Sequence, residues 1–262
     1  MVDHVYTTQL SAGLGLLTET RALFEVYQPG MSTKELYEAA LSSGLFPLIT
    51  ARRLRNIVVE CFAPRYLRDK KVAARLKFLA DRLTPEEFNQ ICLIYTTRAN
   101  PILSDFIRQV YWANYAASHN HLSLQEAQLF VTNSVREGKT QKPWSDTTIK
   151  RISSYLVGCC VDYGLLKSIG RGRDQRLIVS YRLLPKVAAY LAYDLKCKGL
   201  GDNQIISSSD WEVFGLERSD VREQFKILSL QGFIIFQAAV DVVHIGWTYK
   251  SMEELVDVIA QS

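Results

Sequence analysis

Apolar positions recur with the three-and-four spacing of an amphipathic helix through most of the chain. Near the start, Ser32 and Glu35 form a capping-box pattern ahead of such a stripe, and Gly44 follows where a helix stop is expected. A second helix is predicted over about 47–62, and Pro64 is expected to break the chain after it. Two short helices joined by a glycine-containing turn predict a helix-turn-helix.

The middle of the chain is also predicted to be helical. Thr84, Pro85 and Glu87 supply an N-cap, a first-turn proline and an N3 carboxylate, and this combination predicts a helix start. The other helices expected in this region cover about 70–83, 101–116 and 123–136.

The pattern changes after residue 140. A helix is predicted over 145–163 and is ended by Gly164. A strand, a glycine-rich turn at 170–174 and a second strand follow it directly. Because a helix followed at once by a β-hairpin is the arrangement of a winged helix, we expect that unit here.

The remaining segment repeats this arrangement after a helix over 185–198 and a linker-like stretch at 199–203. Ser219 is expected to cap a helix that Gly232 ends, and a second hairpin follows. A last amphipathic helix is predicted over about 251–260.

These elements predict a mainly α fold, in which a helical bundle carries an N-terminal helix-turn-helix and C-terminal winged-helix units with short β-hairpins. The predicted regions are an N-terminal helical domain with basic helices at 1–83, a central helical region at 84–140, a winged helix with a basic wing at 141–200, and a second helix-hairpin unit with a C-terminal helix at 201–262.

Composition narrows the class of protein. The 262 residues are 48% hydrophobic and 22% charged, as in globular proteins, and the apolar runs are too short to cross a bilayer. The N-terminal residues lack a secretory pattern, so we expect a cytoplasmic protein without a membrane partner. The five cysteines contain no CxxC pair, and we expect reduced, mostly buried thiols.

Charge is distributed in blocks of opposite sign. Residues 51–83 and 136–186 each carry a net charge of +7, whereas residues 187–262 carry −5. Two basic blocks separated by acidic ones can provide two patches that meet a polyanion while the rest of the surface avoids it.

The second basic block combines the 145–163 helix with the glycine-rich hairpin. Short polar and cationic groups on the face opposite the apolar stripe can reach bases and phosphates, and arginines beside glycines can bind a sugar-phosphate backbone closely. The predicted DNA-binding residues of this block are Thr147, Lys150, Arg151, Ser154, Arg171, Arg173 and Arg176.

The first basic block places several cations and an asparagine within 20 residues. This density exceeds what solubility requires and favours contact with nucleic acid over a plain solvated face. The predicted DNA-binding residues of this block are Arg52, Arg53, Arg55, Asn56, Arg65, Arg68, Lys70 and Lys71.

Patterns for other chemistry are weak. His119 and His121 have no visible second pair of metal ligands, so we interpret them as surface-loop residues. The adjacent Cys159 and Cys160 lie on the inner side of a predicted helix and favour core packing. No carboxylate pair or phosphate-binding glycine spacing is present. We therefore expect no enzyme activity, cofactor or metal.

Three segments carry a family resemblance. SGLFPLITARRLRNIVVECFAPRYL (43–67), preceded by TKELYEAAL, DRLTPEEFNQICLIYTTRANPILSDF and SDTTIKRISSYLVGCCVDYGLL are similar to the BrxA family of bacterial BREX phage-exclusion systems. This resemblance implies a small, mostly helical, non-enzymatic protein that binds double-stranded DNA and acts with other BREX proteins. It supplies no catalytic motif, so the site residues named above depend on charge and helix spacing alone.

Two hypotheses from different classes follow. The first is a sequence-tolerant duplex DNA-binding protein with two basic surfaces, and the second is an RNA-binding or protein-protein adaptor module of the same defence assembly. Single-stranded RNA recognition usually needs exposed aromatic side chains among the cations. Trp144 and Tyr163 are the only aromatics near the second block, and Tyr163 lies on the apolar register, which favours duplex DNA.

Overall fold

The computed structural model describes residues 5–9, 15–169, 175–239 and 242–261. Within these ranges the protein is mainly helical with small antiparallel sheets, in agreement with the predicted fold class at that level. The helices are α1 (Leu17–Val26), α2 (Thr33–Ser42), α3 (Ala51–Asn56), α4 (Lys70–Ala80), α5 (Pro85–Ala99), α6 (Pro101–Phe106), α7 (Trp112–Ala116), α8 (Leu124–Arg136), α9 (Asp146–Asp162), α10 (Pro185–Cys197), α11 (Asp202–Ile206), α12 (Arg218–Leu230) and α13 (Met252–Gln261).

Strands and irregular helices complete the chain. Two π-helical segments, Ile57–Leu67 and Ile107–Tyr111, continue α3 and join α6 to α7, and a 3₁₀ turn covers Trp211–Phe214. The strands are β1 (His121–Ser123), β2 (Leu166–Ser168), β3 (Gln175–Ile178), β4 (Ile234–Ala239) and β5 (Val242–Trp247).

Backbone packing separates the chain into two compact units. Unit 1 contains Met1–Lys77 and Tyr95–Tyr181, and unit 2 contains Phe78–Ile94 and Arg182–Ser262. Each unit is described by itself below.

Helix ends in unit 1 follow the predicted caps. The Ser32 hydroxyl accepts a hydrogen bond from the Glu35 amide, and the Glu35 carboxylate accepts one from the Ser32 amide at 2.7 Å. Ser123 and Glu126 form the same box at the start of α8. Gly44 has a φ of 72°, as the predicted helix stop requires.

The second helix of the expected helix-turn-helix differs at both ends from the prediction. It begins at Ala51, four residues later than expected, because the Thr50 side chain accepts a hydrogen bond from the Arg53 amide and caps it. It also continues through Pro64 to Leu67 in π-helical form. Phe62 and Tyr66, on either side of Pro64, are each 1% exposed, so burial of both rings outweighs the preference of proline to end a helix.

Aromatic packing forms part of the unit 1 core. The rings of Phe24, Phe62 and Tyr66 lie 4.8 to 5.3 Å apart between centroids. These contacts bring α1 against the π-helical segment, and contacts of this kind contribute about 1 kcal/mol each beyond the area they bury.

A three-stranded antiparallel sheet in unit 1 has the order β1-β3-β2. Leu122 of β1 and Ser168 of β2 both lie opposite Arg176 of the central strand. The helix and the hairpin predicted between 145 and 178 are confirmed, but the sequence did not predict β1. His121, interpreted as a loop residue, lies in β1.

Unit 2 packs α10, α11, α12 and α13 beside the β4–β5 hairpin. The Tyr193 hydroxyl donates to the Phe233 carbonyl at 2.9 Å and accepts from the Tyr249 amide at 3.0 Å. The stretch at 199–203, expected to be a linker, instead ends α10 and caps α11 through Gly201. The helix expected to be capped by Ser219 begins at Arg218, after Glu217.

The outer edges of the β4–β5 hairpin already have hydrogen-bond partners. On β5, the Ile245 amide donates to the Asp202 carboxylate of α11 at 2.9 Å. On β4, the Phe236 amide donates to the Ser229 hydroxyl of α12 at 3.4 Å. Both neighbouring helices therefore use a side chain to satisfy an outward-pointing strand amide.

Candidate nucleic-acid interface

Helix α9 separates a buried face from an exposed polar face. Ser145 caps the helix by accepting a hydrogen bond from the Thr148 amide at 3.3 Å. Ile152, Leu156 and Cys159 are each fully buried and fix the helix against the core of unit 1. The residues predicted for nucleic-acid contact on the opposite face are all exposed, and they are Thr147, Lys150, Arg151 and Ser154.

These four side chains share one side of the helix because they are three or four residues apart. The Ser154 hydroxyl donates to the Lys150 carbonyl at 3.0 Å and therefore lies close to the helix backbone. Lys150 and Arg151 extend further and provide the positive charge of the face. We call these four residues the α9 surface.

The hairpin after α9 contributes differently from the prediction. Arg171 and Arg173 lie outside the described residues. Arg176 is half-buried, and it lies opposite the fully buried Leu122, so it is on the side of the sheet that faces the core. Its guanidinium donates to the neighbouring Gln175 carbonyl at 2.9 Å. Arg176 therefore belongs to the inner face of the hairpin and not to an outward-facing wing.

A cleft of about 440 Å³ lies between α9 and this hairpin. Ser154, Tyr155 and Gly158 line it from α9, and Ser168 and Arg176 line it from the sheet. The cleft thus connects the α9 surface with the strands that lead to the hairpin tip.

The first basic block is divided by its helix into exposed and half-buried side chains. Arg52 and Arg55 of α3 are exposed, whereas Arg53 and Asn56 are half-buried. Arg53 lines a cleft of about 430 Å³ together with the carboxylates of Glu19 and Asp162. Its charge therefore lies beside two acidic groups.

Arg65 does not belong to an exposed surface. It is 6% exposed, and its guanidinium donates to the Gly15 carbonyl at 3.1 Å. The helix that was expected to break at Pro64 continues and carries Arg65 into the core of unit 1. The assignment of Arg65 to a DNA-binding surface is therefore corrected to a role in the fold.

The remaining cations of this block are accessible. Arg68, Lys70 and Lys71 are exposed. Asp69 between them caps α4, since its carboxylate accepts a hydrogen bond from the Lys71 amide at 2.9 Å. Together with Arg52 and Arg55, these side chains form what we call the α3 surface.

Unit 2 offers a comparison with the α9 surface. Helix α12 also precedes a hairpin, but its exposed face carries Glu223, Lys226, Ile227 and Leu230. Glu223 and Lys226 form an ion pair at 2.7 Å, and Leu230 is 89% exposed. The same arrangement of elements therefore has a neutral, partly apolar face in unit 2.

The cysteines have the environment of core residues. Cys61, Cys92, Cys159 and Cys160 are buried thiols, whereas Cys197 is an exposed thiol. Burial raises the pKa of Cys159 to about 12, so its thiol is protonated at neutral pH. The expectation of reduced and mostly buried thiols is confirmed.

The histidines and acidic residues offer little for other ligand chemistry. His119 contacts the Asn114 side chain at 2.6 Å, and His121 is exposed on β1. Across the described ranges, no group of three or more His, Cys, Asp or Glu side chains is arranged to hold a metal ion. No helix in the same ranges is both long enough and apolar enough to span a membrane.

Sequence reasoning missed two residues that the structure brings together. Gly15 and Asp162 are 147 positions apart, and the Gly15 amide donates to the Asp162 carboxylate at 2.8 Å. One signal was available, because an acidic residue at the end of a predicted helix opposes the helix dipole and requires a compensating partner. Its partner could not be predicted from local spacing.

The fold and these surfaces define a mainly helical protein with small antiparallel sheets and exposed basic helix faces. Residues 4–194 match the protein family described as BrxA, and the chain belongs to this family. Membership implies a role in BREX phage defence, with other BREX proteins as partners. A search of curated proteins gave no match.

Proposed function

We propose that this protein is a non-enzymatic double-stranded DNA-binding component of BREX phage defence. It contacts mainly the phosphate backbone, through the α9 surface and the α3 surface. The observation that carries the proposal is the exposed face of α9, where Lys150 and Arg151 project beside the hydroxyls of Thr147 and Ser154. Cations position a protein on the duplex, and short polar side chains add contacts to base edges.

The arrangement around α9 supports a winged helix. The order β1, α8, α9, β2, β3, with β3 pairing to both other strands, places α9 as the helix that precedes the hairpin. In such a unit, the recognition helix enters the major groove and the hairpin extends to the adjacent backbone. Arg171 and Arg173 at the hairpin tip would then contact the same duplex as α9.

The first basic block supports a second contact. Helices α2 and α3, joined by a turn that contains Gly44, form the candidate helix-turn-helix. Arg52 and Arg55 are exposed on its second helix, and the neighbouring cations of the α3 surface extend the positive charge. We exclude Arg65 from this surface and treat Arg53 and Asn56 as peripheral to it.

An adaptor role is the second candidate, and one observation favours it. The exposed apolar side chains Ile227 and Leu230 on α12 resemble a protein-binding face more than a DNA-binding one. RNA binding through stacked bases receives less support, since Tyr163 is 3% exposed and Tyr155 is half-buried. An adaptor role of unit 2 is compatible with DNA binding by unit 1.

The decisive experiment compares duplex DNA, single-stranded DNA and single-stranded RNA of equal length in a gel-shift assay at 50 and 200 mM salt. We expect the tightest binding to duplex DNA, with affinity falling roughly a thousandfold between the two salt concentrations for about six phosphate contacts. Equal binding to all three, or an affinity that hardly changes with salt, would contradict the proposal.

A further inference from the structure

The C-terminal end of α9 is joined to the helix of the α3 surface through one glycine. Asp162 is the last residue of α9, and its carboxylate accepts a hydrogen bond from the Gly15 amide at 2.8 Å. The carbonyl of the same glycine accepts a hydrogen bond from the Arg65 guanidinium at 3.1 Å. We call this arrangement of Asp162, Gly15 and Arg65 the Gly15 clasp.

Only glycine fits this position. A Cβ atom added to Gly15 would lie 2.6 Å from the Cβ atom of Asp162, which is closer than carbon atoms approach in folded proteins. The next residue, Leu16, adopts left-handed backbone angles of φ 53° and ψ 37°, which a leucine rarely takes. The clasp therefore holds the backbone in a shape that local preferences do not favour.

The two side chains of the clasp are also unusual for their places in the fold. A carboxylate at a helix C-terminus is unfavourable, since that end carries partial negative charge. Partial burial raises the pKa of Asp162, while the Gly15 hydrogen bond and the charge of Arg65 act in the opposite direction. Arg65 is a cation in the core. A pair of ordinary apolar residues would stabilise the fold without these costs.

The position of the clasp explains what it can control. Lys150 and Arg151 lie about 16 to 18 Å from Asp162 along α9. Arg52 and Arg55 lie 10 to 13 residues before Arg65 on the continuous helix formed by α3 and the π-helical segment. Each basic surface is thus at the far part of a helix whose other part meets at Gly15, and a small rotation there displaces the cations.

We propose that the Gly15 clasp is a positioning device that fixes the α9 surface relative to the α3 surface, so that both engage one duplex together. The inference rests on the proposed function. Two surfaces held in a fixed relation bind a duplex with the contacts of both, whereas a loosened pair must be aligned again on each encounter, at a cost in entropy.

Substitution of Asp162 provides a charge-matched test. Asp162→Asn keeps an amide oxygen that accepts the Gly15 amide, whereas Asp162→Ala removes it, and both variants lose one negative charge. We expect Asp162→Asn to keep the salt dependence of wild-type duplex binding. We expect Asp162→Ala to lower the log-log salt slope by about 0.9 for each phosphate that the α3 surface no longer reaches.

A second measurement separates positioning from stability. Arg52→Gln combined with Arg55→Gln should weaken binding about twentyfold at 200 mM salt in the Asp162→Asn protein, if each arginine contacts one phosphate. In the Asp162→Ala protein, the same pair should cost less than about threefold, since the α3 surface is no longer engaged at the same time. A clasp that only stabilises the fold would lower the melting temperature and leave the twentyfold effect unchanged.

The two proposals fail in different ways. Equal salt slopes for the alanine and asparagine variants would overturn the clasp proposal while leaving DNA binding intact. Absence of wild-type duplex binding would overturn the proposed function and the clasp with it. If Asp162→Ala does not fold, Gly15→Ala makes the same test against Gly201→Ala, where an added Cβ meets only the Gln204 side chain at 3.7 Å. Loss of folding in both clasp variants would assign the clasp to stability alone.

Discussion

Removing the two cations of the α9 surface is the most direct test of the proposed interface. Lys150→Gln with Arg151→Gln keeps long, helix-compatible side chains on an exposed face. Since neither side chain belongs to the apolar stripe of α9, the free energy of unfolding should change by less than about 0.5 kcal/mol for each substitution. The effect should therefore appear in binding and not in folding.

The expected size follows from counterion release. If each cation contacts one phosphate, the double variant lowers the log-log salt slope by about 1.8. If such contacts contribute little at 1 M salt, the loss of affinity is about 20-fold at 200 mM and about 200-fold at 50 mM. The defect should thus grow roughly tenfold as salt is lowered over this range.

The assay is a titration of a fluorescent duplex at several salt concentrations, accompanied by thermal unfolding. The matched control is Arg218→Gln with Lys226→Gln on α12, which removes the same charge from exposed positions of unit 2. We expect this control to change affinity severalfold less. Equal losses for both pairs would attribute the effect to net charge, and an α9 loss that does not depend on salt would refute the phosphate-contact reasoning.

Three further predictions concern other parts of the chain. Charge reversal of Arg171 and Arg173 to glutamate should weaken duplex binding more than the matched reversal of the α12 pair, and equal effects in the titration would remove the hairpin tip from the interface. A maleimide reagent should label one thiol per native chain, Cys197, and five in denaturant by mass spectrometry, because burial protects the other four. Asp162→Asn should raise the melting temperature at pH 7 more than at pH 3, since a carboxyl whose pKa is raised by folding contributes stability below its unfolded pKa and loses it as pH rises through the folded pKa; a larger gain at pH 3 would contradict this sign.

Local patterns predicted the helices of this protein well where a cap or a stop defined them. The capping box at Ser32 and the helix starts at Thr84 and Ser145 depend on side chains within three residues of each other. The exposed face of α9 was also predictable, since its apolar stripe determines which side meets solvent. These features are set by short-range chemistry.

The failures share a long-range cause. Pro64 does not end its helix, because the rings beside it are buried against the rest of unit 1. Arg65 is carried inside by the same continuation, although its neighbours in sequence are cationic and exposed. Strand β1 has three residues and is defined by pairing with β3, more than fifty residues later. Neither tertiary burial nor such pairing leaves a periodic signal in the sequence.

The hydrogen bonds at the edges of the β4–β5 hairpin restrict how another protein can recognise it. A peptide that adds itself as a third strand needs free amides along an edge of the sheet. The amide of Ile245 is already bonded to Asp202, and that of Phe236 to Ser229, so strand addition would first have to displace a helix side chain on either edge. A partner that docks on this hairpin must therefore recognise its side chains and shape, which makes the surface composition of α12 and the hairpin the quantity that evolution can adjust to change partners without changing the fold.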